Sequence, residues 1–401
     1  MNNSLPENFD TFVDGRKQGF IRAKELKDSG QKMVGMFCGF TPFEIPMAAK
    51  AATVMVCGVD EEPIQDAERI LPRNLCPLIK SSFGGALNDT CPYFYFSDMI
   101  IGETTCDGKK KMYEILGKFK NMYVMHLPNW PQLGKGEPGY ELWRDEIIKY
   151  KEAVESNLET TITEDDIWEA IRDKNDERRI TKEFYSLAKH VPSPFTAMEL
   201  NNVLTQALFI FDREEMKESI RKVTAEGRER IKRGEFPAKA ETPRILITGC
   251  PTSGVTDKIF KLIDEVGGSV VALELCTAGR GNETLVDEDT SRDVYDVIAE
   301  RYLKVGCPVM MYDEQRFKVL DEMIDEYQID GVIDVVLTAC NPFGIESVRV
   351  KDFVTNTKHK AFMKIETDYS KSDVEQIRTR LEAFIEMLED KAASRALATT
   401  L

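Results

Sequence analysis

From Lys32 onward, short apolar runs alternate with stretches whose apolar residues recur at helical spacing. In the first block the pattern predicts strands over Met33–Phe37, Ala52–Val56, Met99–Gly102 and Tyr123–Leu127. Helices are predicted from about Pro42, through Ile64–Ile70, and from Asp107 to Lys120. Such alternation implies βαβ units and a mostly parallel sheet, because parallel neighbours need a crossover long enough to hold a helix. From Glu141 to Gly234 the character changes: strand-like runs are few, and Glu, Lys and Arg at helical spacing dominate, as in Asp165-Asp166-Ile167-Trp168-Glu169-Ala170-Ile171. After Pro243 the alternation resumes, with strands predicted at Arg244–Gly249, Ser269–Leu275, Val309–Tyr312, Gly331–Ala339 and Ala361–Glu366. The helices between and after them are predicted at about Gly254–Val266, Ser291–Val305, Glu314–Tyr327 and Asp373–Leu388.

The expected fold is therefore α/β, with two Rossmann-like (flavodoxin-like) parallel-sheet domains. Residues 1–140 form the first, 141–240 a helical linking region, and 241–401 the second. The two blocks resemble each other in size, and each opens with an apolar run ending in Cys beside Gly or Pro. That likeness suggests two similar domains facing one another. In open parallel sheets, ligands bind in the crevice beyond the carboxyl ends of the strands.

At 401 residues, 42% hydrophobic and 30% charged, the chain can bury a sizeable core without covalent staples. A formal charge of −16 speaks against a nucleic-acid partner, which would need a basic footprint. No apolar stretch approaches the ~20 residues of a membrane span, and Met1 to Phe12 show no apolar signal segment. The expectation is a cytoplasmic protein without a membrane partner, in a compartment where free thiols persist.

The nine cysteines carry the chemical signal. Cys38, Cys57, Cys106, Cys250, Cys276, Cys307 and Cys340 sit where apolar runs give way to Gly or Pro, and Cys76 and Cys91 each precede a proline in loops between. A thiol in a loop at a strand's end can point into a cleft, and soft thiolates select iron–sulfur clusters, zinc or copper(I). A disulfide framework fits neither the chain length nor the odd count. Structural zinc asks for cysteines two to four residues apart, and none are so placed. Buried thiols acting as small hydrophobes are the plain alternative. What remains is a cluster whose ligands come from distant loops and must be assembled by the fold.

Other motifs are weaker. Gly249-Cys-Pro-Thr-Ser-Gly254 follows a strand and opens a helix, yet Val255-Thr256 stands where a phosphate loop needs Lys and Ser or Thr. His126, His190 and His359 are scattered. Lys109-Lys110-Lys111 could support an anionic cofactor, dock a partner, or form a solvated helix face. Glu44 is the one carboxylate expected as a proton donor, with a helix-start acid as its plain reading.

Three stretches carry a resemblance: Leu71-Pro-Arg-Asn-Leu-Cys76-Pro-Leu-Ile-Lys80, Gly102-Glu-Thr-Thr-Cys106-Asp-Gly, and Val336-Leu-Thr-Ala-Cys340-Asn-Pro342. Together they resemble the 2-hydroxyacyl-CoA dehydratase and benzoyl-CoA reductase superfamily, as do Phe37-Cys38-Gly-Phe-Thr-Pro42-Phe-Glu44 and Arg301-Tyr302 with Cys307-Pro308. The resemblance implies that Cys76, Cys106 and Cys340 hold a [4Fe–4S] cluster in the cleft between two α/β domains. The additional cysteines make the chain similar to the double-cubane cluster proteins. In those, six cysteines of one chain hold an [8Fe–9S] cofactor within a homodimeric reductase component, which a separate ATP-hydrolysing iron–sulfur activator charges with low-potential electrons. On that resemblance Cys76, Cys106 and Cys340 are assigned to one cubane and Cys250, Cys276 and Cys307 to the other. Cys38 and Cys91 are reserves, and Cys57 is structural. The implied activity is reduction of small molecules at the cluster; the alternatives are the [4Fe–4S] subunit of an acyl-CoA dehydratase and a non-catalytic electron-transfer protein.

Overall fold

The computed structural model describes residues 7–12 and 14–400. It contains two four-stranded sheets, all of whose pairings are parallel. The first is built of β1 (Met33–Met36), β2 (Ala52–Met55), β3 (Met99–Glu103) and β4 (Met122–Met125), in the order β2-β1-β3-β4. The second is built of β5 (Arg244–Gly249), β6 (Ser269–Glu274), β7 (Gly331–Leu337) and β8 (Ala361–Thr367), in the order β6-β5-β7-β8. The two orders are the same, so the chain is an α/β fold with two Rossmann-like domains. In each, the strand order reverses after the first strand, which places the switch-point crevice above β1 and β3 and above β5 and β7.

The central strands are covered on both faces and so read as continuous apolar runs: every residue of β1, β5 and β7 is buried. The edge strand β8 instead alternates more and less buried positions. One predicted strand is corrected: Val309–Tyr312 is a series of turns and bends. Pro308 precedes it, Met310 N–H donates back to Cys307 O at 3.0 Å, and Tyr312 has φ 56°, which no strand accepts. The segment docks on the first domain, where Met311 N–H donates to Asn129 O at 2.7 Å and Tyr312 packs against Trp130.

Between the sheets run the helices Pro138–Leu158, Glu164–Ser186, Ala197–Gln206 and Arg213–Arg233. Two of them start with reciprocal capping boxes, Thr163 with Asp166 and Thr196 with Glu199, which satisfy backbone N–H groups the helix itself leaves open. Among the described residues no helix is long and apolar enough to cross a membrane.

Candidate metal centre

The shared strand order distributes the thiols in register. Cys38 follows β1 as Cys250 follows β5, Cys57 follows β2 as Cys276 follows β6, and Cys106 follows β3 as Cys340 follows β7. Cys76 and Cys307 lie in the corresponding crossovers, β2 to β3 and β6 to β7. Cys91 has no counterpart; it is buried ahead of the short helix Pro92–Phe96, beside Tyr93. Cys76, Cys106 and Cys340 each stand immediately before a helix, Pro77–Leu87, Asp107–Leu116 and Asn341–Asp352, whose free N–H groups favour negative charge there.

Two groups of thiols form at the junction of the domains. In the first, Cys340 lies within interaction range of both Cys76 and Cys250. Cys340, then burial, raises the Cys76 thiol well above its usual range; Cys250 likewise raises Cys340, which Cys76 partly relieves. The Leu337 N–H points at Cys250 Sγ at 3.4 Å. In the second group Cys38, Cys276 and Cys307 feel one another's charge. Burial pushes Cys307 up to about 12 against the pull of Arg280. Burial and then Glu103 raise Cys38, against Lys109. Arg280 Nη1 donates to Cys276 Sγ at 3.5 Å. Cys57 borders this group and donates its thiol proton to Phe37 O at 2.9 Å. Tyr369 stands between the groups, within the field of Cys76, Cys57 and Cys250, with its hydroxyl donating to Gly58 O at 3.0 Å. Cys106 is half-buried.

Buried charge surrounds the second group. Arg280 grips Glu274 with two bonds of 2.7 and 2.8 Å, while Arg316 reaches Thr248 Oγ1 at 2.9 Å and Glu274 at 3.3 Å, leaving Nη1 without a partner. The lysine run separates: Lys110 pairs with Asp107 and Lys111 with Glu114, but Lys109 turns inward over the Phe37 ring, 5.4 Å from its centroid. No carboxylate lies within salt-bridge range of Lys109 among the described residues. Burial pushes the Glu103 carboxyl up to about 6, with Lys109 pulling against it; Oε1 accepts from Thr41 and Oε2 has no partner. Lys109, Arg280 and Arg316 thus stand beside soft sulfur, with the buried carboxyls of Glu103, Glu274, Asp313 and Asp334 among them. Cations beside the thiols, with N–H donors aimed at Sγ, fit an anionic iron–sulfur cluster. Among the described residues no group of three or more Cys, His, Asp or Glu could hold a single metal ion. Cluster thiolates bind different irons and stand farther apart than the ligands of one ion.

Glu44 opens the helix Glu44–Ala48 and is fully buried. Its carboxylate accepts from Arg178 Nη1 at 2.8 Å and from the Tyr302 hydroxyl at 2.7 Å. Tyr302 in turn accepts from Arg178 Nη2 and from Phe43 N–H, both at 3.1 Å. Burial opposes ionisation, but Arg178, Arg301 and Tyr302 together hold the carboxyl below its usual range. Glu44 is therefore ionised and engaged at neutral pH, whereas Glu103, raised by burial to about 6, takes up a proton only as pH falls toward that value. Sequence reasoning passed over Glu103 and Glu274, although each ends an otherwise apolar buried strand, Met-Ile-Ile-Gly-Glu and Ser-Val-Val-Ala-Leu-Glu. A carboxylate in that position is the available signal, since buried acids are rare unless paired.

Two sheets of one topology, with thiols from both gathered above their strand ends, define a two-domain α/β protein organised round an interdomain thiol site. The chain belongs to the 2-hydroxyglutaryl-CoA dehydratase, D-component family, whose model matches residues 38–388. It is 44% identical over 384 residues to YjiM of Escherichia coli (strain K12), provisionally named a dehydratase subunit, across 96% of this chain and 98% of that one. It is 28% identical over 370 residues to the (R)-phenyllactyl-CoA dehydratase beta subunit of Clostridium sporogenes, covering 91% and 94% of the two chains. With a benzoyl-CoA reductase subunit of Thauera aromatica it shares 27% identity over 186 residues, covering 43% of this chain and 41% of that one. The superfamily read from the motifs at Cys76, Cys106 and Cys340 is thereby established, and with it a component of the dehydratase and reductase type.

Proposed function

We propose that this chain is the reductase component of a two-component system, holding a double-cubane [8Fe–9S] cluster between its domains and reducing small molecules with electrons from a separate ATP-hydrolysing activator. The observation that carries the reading is the gathering of thiols into two groups, where a single cubane needs one. The resemblance assigns Cys76, Cys106 and Cys340 to one cubane and Cys250, Cys276 and Cys307 to the other. The proximity of the thiols favours a different division, with Cys76, Cys250 and Cys340 serving one cubane and Cys38, Cys276 and Cys307 the other. A cluster bound there supplies low-potential one-electron reduction. The chain's own residues do the rest: Leu337 N–H and Arg280 donate toward sulfur, Lys109 and Arg316 offset negative charge, and the Glu103 carboxyl, raised by burial to about 6, is placed to take up a proton beside Cys38. A cytoplasmic homodimer is part of the proposal, as is an activator that supplies the nucleotide site for which this chain has no credible loop.

The names of the relatives favour a second reading, a subunit of an acyl-CoA dehydratase with one [4Fe–4S] cluster. Iron and acid-labile sulfide per chain after anaerobic purification separate the two. About eight iron atoms per chain are expected for the double cubane, and about four for the dehydratase subunit. An iron-free protein with full activity overturns both.

A further inference from the structure

Next to Cys276 the structure encloses a cavity of about 70 Å³, where the first domain, the helical region and the second domain meet. Its lining is partly apolar, including Phe43, Leu204 and Ala207, and partly cationic, with Lys174, Arg178 and Arg301. The charges do not balance. Lys174 pairs with Glu177 at 2.6 Å and Arg178 with Glu44 at 2.8 Å. Arg301 is only 3% exposed and has no carboxylate within salt-bridge distance among the described residues. It donates only to the backbone carbonyls of Thr284 and Gly281, and its Nη1 finds no partner there. Arg178 Nε is buried and also unpartnered. Glu44 is the counter-charge that Arg301 shares with Arg178, so two buried guanidiniums face one carboxylate, a costly excess unless a further anion balances it.

Two further cavities lie beside the first. A second cavity of about 60 Å³ shares Phe43, Lys174, Glu177 and Ala207 with it. A groove of about 410 Å³ shares Met47, Phe211 and Arg213 with that second cavity, and its rim carries the exposed pair Lys50 and Glu169. The three lie side by side, with shared wall residues, between the surface and Cys276.

We propose that this series is the access route and binding chamber for a small organic carboxylate, which Arg301 holds beside Cys276 with its alkyl part on Leu204 and Ala207. The guanidinium fork matches a carboxylate in geometry as well as charge. The volume suits a ligand of a handful of heavy atoms, since a water needs roughly 10–15 Å³ in the same measure. The proposal gives a substrate class to the reductase reading above and rests on it for the chemistry after binding, but binding itself does not depend on the iron count.

The test is calorimetric titration of the anaerobically purified full-length protein with propionate, and with propionamide as its uncharged match. Saturable propionate binding is expected, with propionamide at least about tenfold weaker. Arg301→Gln should weaken propionate by about tenfold or more, Arg301→Lys should recover part of that loss, and Ala207→Leu should block the chamber without altering its charge. Equal affinity for the two probes, no saturation with either, or propionate binding unchanged in Arg301→Gln and Ala207→Leu overturns the proposal. If Arg301→Gln fails to fold, the two probes on the unaltered protein and Ala207→Leu still decide it. Iron analysis of the same preparations reports on the cluster separately.

Discussion

Glu44→Gln is the perturbation with the largest calculable effect. It removes the one carboxylate that, among the described residues, bonds to the buried Arg178, leaving that guanidinium and Arg301 facing a neutral amide, while Tyr302 loses the acceptor of its proton. Breaking a buried ion pair from one side costs about 3–5 kcal/mol, because the remaining charge keeps its desolvation penalty. Tyr302→Phe removes three hydrogen bonds, two of them to charged groups, and should cost about 2–4 kcal/mol. The two share partners, so the double variant should lose less than the sum of the singles. Urea unfolding of the full chain measures all three. The pH dependence tests the ionisation state. The Glu44 carboxyl lies below its usual range in the folded protein, so its contribution is complete above the unfolded value of about 4.3 and is lost only as pH falls through the folded value. The stability gap between parent and Glu44→Gln should stay flat from pH 8 to about 5. A gap that closes near pH 6 to 7 would mean a carboxyl that holds its proton, as a proton donor does. A cost below about 1 kcal/mol, or additivity in the double variant, would refute the account of the buried pair.

Cys340→Ala should lose about half the bound iron and weaken the visible cluster absorption, whereas Cys57→Ser should change iron content little, because that thiol already donates to Phe37 O among the packed residues Val54 and Val56; full iron in the first or half in the second would reverse the division. Asp264 accepts from Ala197 N–H at 3.2 Å, and burial pushes its carboxyl up to about 7 against that bond. Because the folded value lies above the unfolded value of about 3.9, the stability that protonated Asp264 confers is lost as pH rises between the two. Asp264→Asn, which keeps the acceptor, should therefore be about 1–3 kcal/mol more stable than the parent at pH 8 and indistinguishable from it at pH 4; denaturant melts at the two pH values check this.

Periodicity located the strands wherever burial produced a continuous apolar run bounded by turn residues. β5 is read at both its ends, and β1, β2, β3, β4, β6, β7 and β8 to within two residues. The failure at Val309–Tyr312 has the same origin: those residues are apolar because they dock on the first domain, and a docking loop and a short strand share one composition. The helix Pro77–Leu87 escaped notice for the complementary reason. Every residue from Pro77 to Ala86 is buried, so no polar face marks the helical period. At the site, the Gly and Pro context of the cysteines was legible because a loop at a strand end has a composition of its own. The grouping of Cys250 with Cys76 and Cys340 was not. Nothing in spacing brings a residue after β5 to one before Pro77; only the mutual placement of the two sheets does. Nor could the sequence show that Lys109 turns inward while Lys110 and Lys111 find partners on their own helix.

Each thiol group is mixed in origin, and that composition ties the chemistry to the docking of the domains. Cys76 comes from the first domain and meets Cys250 and Cys340 from the second; Cys38 comes from the first and meets Cys276 and Cys307 from the second. Neither sheet alone assembles either group, although each folds round its own buried strands. Contacts remote from one another in sequence hold the halves in register, among them Glu44 with Tyr302 and Arg178, Tyr369 with Gly58, Met311 with Asn129 and Lys135 with Asp296. The proposed carboxylate chamber lies at the same three-way junction, bounded by Arg178 and Tyr302 themselves. A change that loosens the Glu44 knot therefore acts on thiol grouping and chamber together, because one rigid junction positions both.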